Sequence, residues 1–295
     1  MIFVSNLPKK VQFLTQLSLP FSTFLSSTDR FEGGRIGYDK QFLFLWLLIK
    51  KILNWDYRTI ADMAGVSHST FVRANQSFLD SKVYFKVFRY LVKIAYKNGV
   101  IQGKKVSLDS SFVQTFSKYQ EIGSGGWNGH KEKYGYKLHL LIDAHTSFPI
   151  ALIVSDGVTH DSKVAIPLLR KAKPWLKKVG YVLADKGYDD SDLVDYIFKK
   201  LKAKASIPIR KGWKNKQGKN SGNYENWKSK STGRTVKKSI YKLRSGIERC
   251  FSTLKRTYHL GKEETRGIQA FMKNVWLTLI SFMLKKLYTE RSTCF

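Results

Sequence analysis

Three strand-like segments follow one another between residues 104 and 157, with no helical segment between them. They read KKVSLDSSF, YGYKLHLLID and PIALIVSDG, and a glycine-rich stretch at 123–129 separates the first two. Helical and strand-like segments then alternate along the chain: a helix at 162–172, the strand VGYVLAD, a helix at 191–200 and the strand AKASIPI. A run of strands followed by such alternation predicts an α/β fold, a mixed sheet covered by helices.

The first hundred residues have a different pattern. The run FLFLWLLIKKIL is apolar enough for a core helix, and residues 78–96 repeat apolar side chains at helical spacing. The sequence KNG at 97–99 is typical of a helix end and a linker. We therefore predict a helical domain over 1–99 and a second domain over 100–295, which ends in helices at 239–258 and 267–288.

A helix-turn-helix is predicted at about 56–80 within the helical domain. Gly65 supplies the turn, Ala61 is small enough for two helices to cross, and Val66 and Phe71 are apolar anchors for the second helix. Many helical hairpins share this pattern without binding DNA. With the charge of this chain we favour DNA binding through four residues that would face outward: His68, Ser69, Thr70 and Arg73.

The charge of the chain points to a polyanionic partner. The formal net charge is +30, which repels itself in a compact fold unless a polyanion is near, so nucleic acid is the leading partner. The most biased segment, 210–242, holds eleven Lys or Arg against one acid, with Trp213, Tyr224 and Trp227 among them. A solvated loop is the simple interpretation; cations interleaved with aromatic rings also suit phosphate contact and base stacking. We expect a basic loop at 210–240 that becomes ordered on DNA.

Neither cysteines nor apolar runs indicate an exported or membrane protein. Cys250 and Cys294 cannot build a disulfide framework or a zinc site by themselves. The longest strongly apolar runs, 42–49 and 275–284, fall well short of the roughly 20 residues that a bilayer requires. We expect a soluble cytoplasmic protein with no membrane partner.

Two aspartates are candidates for chemistry because acids are scarce here. Asp109 lies within an apolar strand, on the face opposite Val106 and Leu108. Asp185 closes another strand, at the carboxyl end where sites gather in open α/β sheets. A strand-end Asp is more often a cap or turn residue, which is the interpretation we adopt for three others: Asp143, Asp156 and Asp161.

The third candidate acid lies in a helical stripe. In YKLRSGIERCFSTLK, the residues Tyr241, Arg244, Glu248 and Lys255 fall within an arc of about 60° on one helix face, at roughly 100° per residue. A surface ladder of ion pairs has the same spacing. Phosphodiester cleavage needs an activated oxygen nucleophile and stabilised charge, which two Mg²⁺ ions held by carboxylates provide. An acid flanked by Arg, Lys and Tyr suits that chemistry.

These segments resemble the motifs of a known family. VSLDSS, LADKGYD and YKLRSGIERCFSTLK are similar to the three catalytic motifs of DDE-class insertion-sequence transposases, in the group of insertion sequence five, a relative of that of insertion sequence four. The spacing of Tyr241, Arg244, Glu248 and Lys255 matches that group at every position. GVTHDSKVAIPLL and YGYKLHLLID, which contains Lys137 and His139, also resemble family segments. The resemblance covers about residues 104–258.

The resemblance implies an RNase H-like catalytic domain with a mixed five-stranded sheet, preceded here by the helical domain. It implies that Asp109, Asp185 and Glu248 are catalytic and bind two Mg²⁺ ions, with Mn²⁺ as the alternative, while Tyr241, Arg244, Lys255 and Lys137 contact DNA. The implied reaction is cleavage at transposon ends and strand transfer by the freed 3′-hydroxyl. Only 62 residues lie between Asp185 and Glu248, too few for the β-rich insertion of some relatives.

The implied partners are double-stranded DNA at terminal inverted repeats and target DNA, bound by a homodimer in a synaptic complex. The implied location is the cytoplasm of a prokaryote, in association with the nucleoid. Three alternatives stay open at this point: a nuclease or resolvase-like enzyme that cuts without joining, a non-catalytic DNA-binding regulator or transposase relic, and a structural RNA-binding protein. The intact acids and stripe favour the enzyme. The histidines His130, His139 and His160 are expected to be structural or to face phosphate rather than to bind metal.

Overall fold

The computed structural model describes residues 37–115, 125–129, 131–209, 233–261 and 266–292, together with Val11, Leu14 and Leu25. Most of the predicted basic loop, the glycine-rich stretch as far as residue 124, and His130 lie outside these residues. The described helices are α1 (Lys40–Leu53), α2 (Tyr57–Ala64), α3 (His68–Asp80), α4 (Val83–Lys97), α5 (Asp161–Ala172), α6 (Ser191–Leu201), α7 (Lys238–Tyr241), α8 (Ser245–Arg256) and α9 (Gly267–Ser292). The strands are β1 (Lys105–Gln114), β2 (Gly126–Asn128), β3 (Lys133–Asp143), β4 (Pro149–Asp156), β5 (Tyr181–Leu183) and β6 (Lys204–Ser206).

The chain divides into two compact units. One contains the described residues up to Val100, Thr115 and those from Ser252 onward; the other contains Ile101–Gln114 and the described residues of Gly125–Phe251. This division differs from the predicted one at the C-terminal end, because α9 packs on α1, α3 and α4 rather than on the sheet. The physical reason is the apolar surface of α9, whose side chains are largely buried along its length.

The helical unit is organised by short caps and a buried core. The carboxylate of Asp56 accepts a hydrogen bond from the Thr59 N–H at 2.7 Å and so begins α2. Gly65 ends α2 at φ 65°, a conformation that favours glycine, and the chain turns directly into α3. The rings of Phe44, Phe78 and Tyr84 pack against one another with centroids 5.5–6.1 Å apart. The predicted pair of helices with a glycine turn is therefore present.

Helix α9 is the core helix of this unit. Among the described residues it is the one helix long and apolar enough, over Gly267–Glu290, to cross a membrane by length and composition. Of its apolar 18-residue window, 67% is buried inside the protein, as is typical of a helix in a hydrophobic core. A buried polar contact joins α9 to α1: the Lys51 ammonium donates a hydrogen bond to Asn274. The burial of α9 is explained by packing alone.

The second unit is built on one mixed sheet. Its strand order is β2-β3-β1-β5-β6, and β4 pairs with the edge of β3 away from β1. β1 is antiparallel to β3 and parallel to β5, and β5 is parallel to β6. The five predicted strands are all present in the predicted mixed arrangement, and β2 is a short addition within the glycine-rich stretch. The long β1 extends well beyond the three residues that pair with β5.

The helix that carries the acidic stripe is interrupted. The spacing predicts one continuous helix from 239 to 258, but a 3₁₀ turn at Lys242–Arg244 separates α7 from α8. The Ser245 hydroxyl donates to the Lys242 carbonyl at 2.9 Å and favours this tighter turn. The prediction that four side chains share one uninterrupted helix face was therefore wrong: Tyr241 lies in α7, Arg244 in the turn, and Glu248 and Lys255 in α8.

Candidate active site

Asp109 and Asp185 occupy equivalent positions on neighbouring parallel strands. The last paired residues of β1 and β5 are Ser107 and Leu183, and each aspartate lies two residues farther along its strand direction. Neighbouring strands are about 4.8 Å apart, so this register brings the two side chains together. The Asp185 carboxylate also caps the turn at Lys186–Tyr188 by accepting a hydrogen bond from the Gly187 N–H at 2.8 Å.

The environment of Asp109 disfavours its charge. Burial, with a smaller contribution from the neighbouring acids Asp185 and Asp161, raises the pKa of its carboxyl to about 6. Two contacts act in the opposite direction: the Ser110 N–H, 2.8 Å from Oδ1, and the Arg244 guanidinium, whose Nη1 is 3.4 Å from Oδ2. The ionised carboxylate of Asp109 is thus incompletely compensated by the protein itself.

Arg244 joins the two parts of the site. Its guanidinium contacts Asp109 through Nη1 and forms an ion pair with Glu248 through Nη2. The Tyr241 ring lies against the same guanidinium, with 5.8 Å from the ring centroid to Cζ. Glu248 is 55% exposed, whereas the Asp109 and Arg244 side chains are only 20% and 19% exposed. The site is therefore a partly buried pair of aspartates with an exposed glutamate at its edge, linked by one arginine.

Asp161 is a fourth acid near this site, which the sequence analysis treated as a cap. It begins α5, and its carboxylate pairs with the Lys137 ammonium at 3.1 Å. Lys137 also donates to the Thr159 carbonyl at 2.8 Å and is only 14% exposed, so this predicted DNA contact is engaged within the protein. Asp161 acts electrostatically on Asp109 and adds to the negative potential around it.

The described histidines near the site have structural positions. His139 is buried in β3, where its Nε2 lies 2.8 Å from the Ser155 hydroxyl, and burial lowers the pKa of its imidazole to about 4. His160 precedes α5, and its Nδ1 accepts a hydrogen bond from the Ser162 N–H. Neither ring is directed by these contacts toward the aspartate pair.

Comparison with known protein families identifies the family of this chain. Residues 102–284, more than half of the chain, match the family model described as a transposase DDE domain. The chain belongs to the DDE transposase family. It is an enzyme that cleaves DNA and transfers strands, and the matched residues include both aspartates, Arg244 and Glu248.

The chain is also similar to individual proteins and solved structures. A Brucella ovis protein named as the transposase for insertion sequence element IS6501 is 30% identical over 149 residues, which is 50% of this chain and 98% of that protein. Among solved structures, the piggyBac transposase synaptic complex with hairpin DNA is 10% identical and covers 97% of this chain and 74% of its own, with a TM-score of 0.52. The Mos1 mariner paired-end complex with Mn is 11% identical over 94% of this chain and 86% of its own, with a TM-score of 0.25.

The fold of the transposase is RNase H-like, as the sequence predicted. The strand order and directions of its sheet fit that fold, and the similarity to the piggyBac transposase supports it. The group of insertion sequence five, to which the motif spacing pointed, stays a prediction.

The donor set fits a divalent metal at the two aspartates. DDE transposases use divalent metal ions, and carboxylate oxygens are the ligands such hard cations prefer. The incompletely compensated charge of the largely buried Asp109, at the strand position next to Asp185, is the observation that favours a cation there. Among the described residues, no three His, Cys, Asp or Glu side chains are grouped closely enough to hold one ion together. Glu248 is separated from the pair by Arg244, which occupies the position between the acids.

The remaining predicted DNA contacts lie in the helical unit. Lys255 falls in the part of α8 that clusters there. His68 and Arg73 are exposed on α3, and Ser69 and Thr70 are half-buried in its first turn. Sequence analysis did not single out Gly187 or Tyr188, although both lie within LADKGYD. The Tyr188 hydroxyl shares a hydrogen bond with Ser110, and burial together with the nearby acids raises its pKa well above the usual value.

Gly187 is required by its close approach to Asp185, which gives a first prediction. A Cβ at position 187 would lie 2.8 Å from the Asp185 Oδ1 atom, so Gly187→Ala displaces that carboxylate. We expect DNA cleavage to fall at least tenfold, while the melting temperature changes by only a few degrees because a side-chain end can move. Gly180→Ala is the matched control, since its Cβ would meet only the Lys104 carbonyl at 3.6 Å. Equal cleavage by the two variants in a labelled-DNA assay would contradict the prediction.

Proposed function

We propose that Asp109, Asp185 and Glu248 are the catalytic and metal-binding acids of this transposase. The bound group is Mg²⁺, two ions in the active complex, with Mn²⁺ as an alternative. When bound, such ions supply Lewis-acid stabilisation of phosphate charge and an activated oxygen nucleophile. The substrate is double-stranded DNA at the terminal inverted repeats of the transposon, and the freed 3′-hydroxyl attacks target DNA.

One observation carries this proposal: Arg244 contacts Asp109 and Glu248 at once, while Asp185 lies at the position equivalent to Asp109 on the next strand. Three acids from distant parts of the sequence, at positions 109, 185 and 248, are thereby linked where β5 ends beside β1. The carboxyl ends of parallel strands are where α/β folds place their sites. A surface ladder of ion pairs would explain the Arg244–Glu248 contact but not the contact to Asp109 in β1.

The cations and Tyr241 position the DNA backbone in this proposal. Arg244 presents a planar set of donors that suits phosphate oxygens as well as carboxylates, and the Tyr241 ring supports it. Lys255 and Lys137 are the further proposed phosphate contacts; Lys137 would have to leave its ion pair with Asp161 to make one. Asp109 and Asp185 must be ionised to bind the metal. Because the pKa of Asp109 is raised, the ionisation of this site depends on pH.

The helical region supplies recognition of the transposon ends. We propose residues 1–99 as its DNA-binding domain and residues 100–251, with the acids and the basic loop 210–240, as the catalytic domain; the described residues from Ser252 onward belong to the helical unit. Within the pair α2 and α3, which are joined by the glycine turn, the recognising side chains are His68, Ser69, Thr70 and Arg73. Cutting two ends together favours a homodimer in a synaptic complex. Its DNA would be that of the bacterial cytoplasm, in the nucleoid.

Cleavage of a labelled linear DNA that carries the ends of the element tests the proposal. Wild type and Glu248→Gln are compared with Mg²⁺ and with EDTA. We expect metal-dependent nicking at the element boundary, a loss of at least about 1,000-fold in the variant, and unchanged DNA binding. Asp195→Asn is the control, because its exposed carboxylate pairs only with the neighbouring helix residue Lys199 among the contacts described.

Each other result has a defined meaning. Cleavage that survives in Glu248→Gln would show that another acid completes the site. Tight binding by wild type without cleavage under Mg²⁺ or Mn²⁺ would indicate a transposase relic that acts as a DNA-binding regulator. Nicking without any joined product would indicate hydrolysis alone.

A further inference from the structure

The turn that follows Asp185 is held by two buried side chains. Tyr188, 2% exposed, bonds to Ser110 in β1, next to Asp109. The side chain of Asp189 is fully buried and accepts a hydrogen bond from the Nη2 of Arg234 at 2.7 Å. Tyr188 and Asp189 both lie within four residues of Asp185 in the sequence. The conformation of this turn therefore sets the position of the Asp185 backbone at the end of the strand.

Arg234 is itself fixed at the edge of the sheet. Its side chain is 6% exposed, and its Nη1 donates to the Ile207 carbonyl at 2.9 Å. Its backbone forms a parallel bridge with Ala205 of β6, through hydrogen bonds of 2.8 and 2.9 Å on either side. The guanidinium therefore extends from a fixed backbone and connects the end of β6 to the turn after β5.

The chemistry of this pair indicates placement rather than stability. A buried ion pair contributes little net stability, because its desolvation opposes its attraction, and an apolar pair of similar volume often holds a fold as well. A guanidinium bound to a carboxylate does fix distance and direction. Hydrogen bonds within the turn connect the fixed position of Asp189 to Asp185. The Tyr188 N–H donates to the Asp185 carbonyl, and the Asp189 N–H donates to the Lys186 carbonyl, both at 3.2 Å.

We propose that Arg234 and Asp189 are positioning residues that hold the Asp185 carboxylate opposite Asp109. The inference rests on the proposed role of Asp185 as a metal ligand. Groups that orient metal ligands in this way typically change metal affinity or activity about 10- to 100-fold when they are replaced. Asp189 follows Asp185 by four residues in the sequence and Arg234 follows it by 49, so the pair connects a distant segment to the turn after Asp185.

Two variants separate placement from stability. Asp189→Leu/Arg234→Met replaces the ion pair by apolar side chains, and Arg234→Lys keeps the charge but loses the planar fork. The readouts are the melting temperature, Mn²⁺ affinity by calorimetry in the absence of DNA, and cleavage of labelled DNA. We expect the double variant to melt within a few degrees of wild type, and both variants to bind Mn²⁺ about tenfold more weakly and to cleave at least tenfold more slowly.

Asp143→Asn is the matched structural control. Asp143 is also fully buried in the sheet unit, where it accepts hydrogen bonds from four backbone N–H groups at 2.9–3.1 Å. It lies at the end of β3, away from the turn after Asp185. We compare Asp143→Asn with a pair variant whose melting temperature falls by the same amount. We expect Asp143→Asn to keep Mn²⁺ affinity and cleavage within about twofold of wild type.

The remaining outcomes decide between the inference and the proposed function. If the double variant does not fold, Arg234→Lys carries the test. Mn²⁺ affinity within twofold of wild type in the variants that fold would overturn the inference. Asp185→Asn is titrated beside them: if it loses Mn²⁺ binding while the pair variants keep it, only the inference fails. If Asp185→Asn binds Mn²⁺ like wild type, the proposed metal site fails, and the inference fails with it.

Discussion

Replacing Asp109 by asparagine is expected to abolish DNA cleavage and, in the same protein without divalent metal, to raise the free energy of unfolding at pH 8. Cleavage is lost because the amide cannot supply the charge of a metal-binding carboxylate. Stability rises because the native structure disfavours the ionised form of this group. When a fold buries a charged group that the reaction needs, removing the charge typically raises stability and lowers activity.

The direction follows from proton binding. The pKa of Asp109 rises from 3.8 in the unfolded reference to about 6 in the folded protein, so between these values the native state holds a proton that the unfolded chain has released. The free energy of unfolding of wild type therefore falls as pH rises through this window, and the full cost is present above pH 6. At 1.36 kcal/mol per unit the shift sets an upper bound of about 3 kcal/mol. Loss of the ion pair with Arg244 and a weaker hydrogen bond from the Ser110 N–H, which the Asn amide oxygen still accepts, reduce the expected net gain to about 1–2 kcal/mol.

Urea unfolding at pH 4 and pH 8 in EDTA measures this effect. The difference between Asp109→Asn and wild type is expected to be small or reversed at pH 4 and to favour the variant at pH 8. Asp195→Asn serves as the control because its carboxylate is exposed and should show no such crossover. A variant that is less stable than wild type at pH 8 would mean that the contacts with Ser110 and Arg244 outweigh the burial of the charge.

The strands and the two individual aspartates were predictable because they follow from local patterns, whereas the proximity of the two aspartates follows from the fold class. Alternation along β1 placed Asp109 on the face opposite Val106, and Asp185 was recognised as a strand end. The parallel pairing of β1 and β5 then places the two acids at equivalent positions, a consequence of the fold class rather than of any local signal. The spacing of Arg244 and Glu248 was also that of an ion pair, the alternative interpretation of the stripe, and this pair forms although the helix is interrupted just before Ser245.

The features that sequence reasoning missed depend on contacts between distant segments. Asp161 has the local pattern of a helix cap, and only its ion pair with Lys137 and its proximity to Asp109 distinguish it. Arg234 belongs by sequence to a run of cations that are indistinguishable from one another, yet it is buried against Asp189. Helix α9 was assigned to the catalytic domain by its place in the chain, whereas its apolar surface packs on the N-terminal helices. Burial of this kind is set by tertiary packing, which a single sequence does not encode locally.

Replacing Arg244 by glutamine is expected to lower cleavage about 100-fold or more and to weaken DNA binding. Without the guanidinium, Asp109 and Glu248 lose the cation that they share, and the proposed phosphate contact is lost as well. Removal of one phosphate contact should make the slope of log affinity against log salt concentration shallower by about 1. Glu248→Gln should leave that slope unchanged, because a carboxylate does not neutralise phosphate.

Two further variants decide what Arg244 contributes. Arg244→Lys keeps the charge but not the planar fork, so we expect it to restore most of the salt dependence and only part of the cleavage. Arg249→Gln is the matched control: this arginine is exposed on α8, which also carries Glu248, and its Nη1 donates to the Ser245 hydroxyl at 3.3 Å. If Arg244→Gln cleaves within twofold of this control, Arg244 acts only as a counter-ion in the metal-free protein. If Arg244→Lys cleaves like wild type, charge alone is sufficient, and the geometry of the guanidinium between the acids is not used in the reaction.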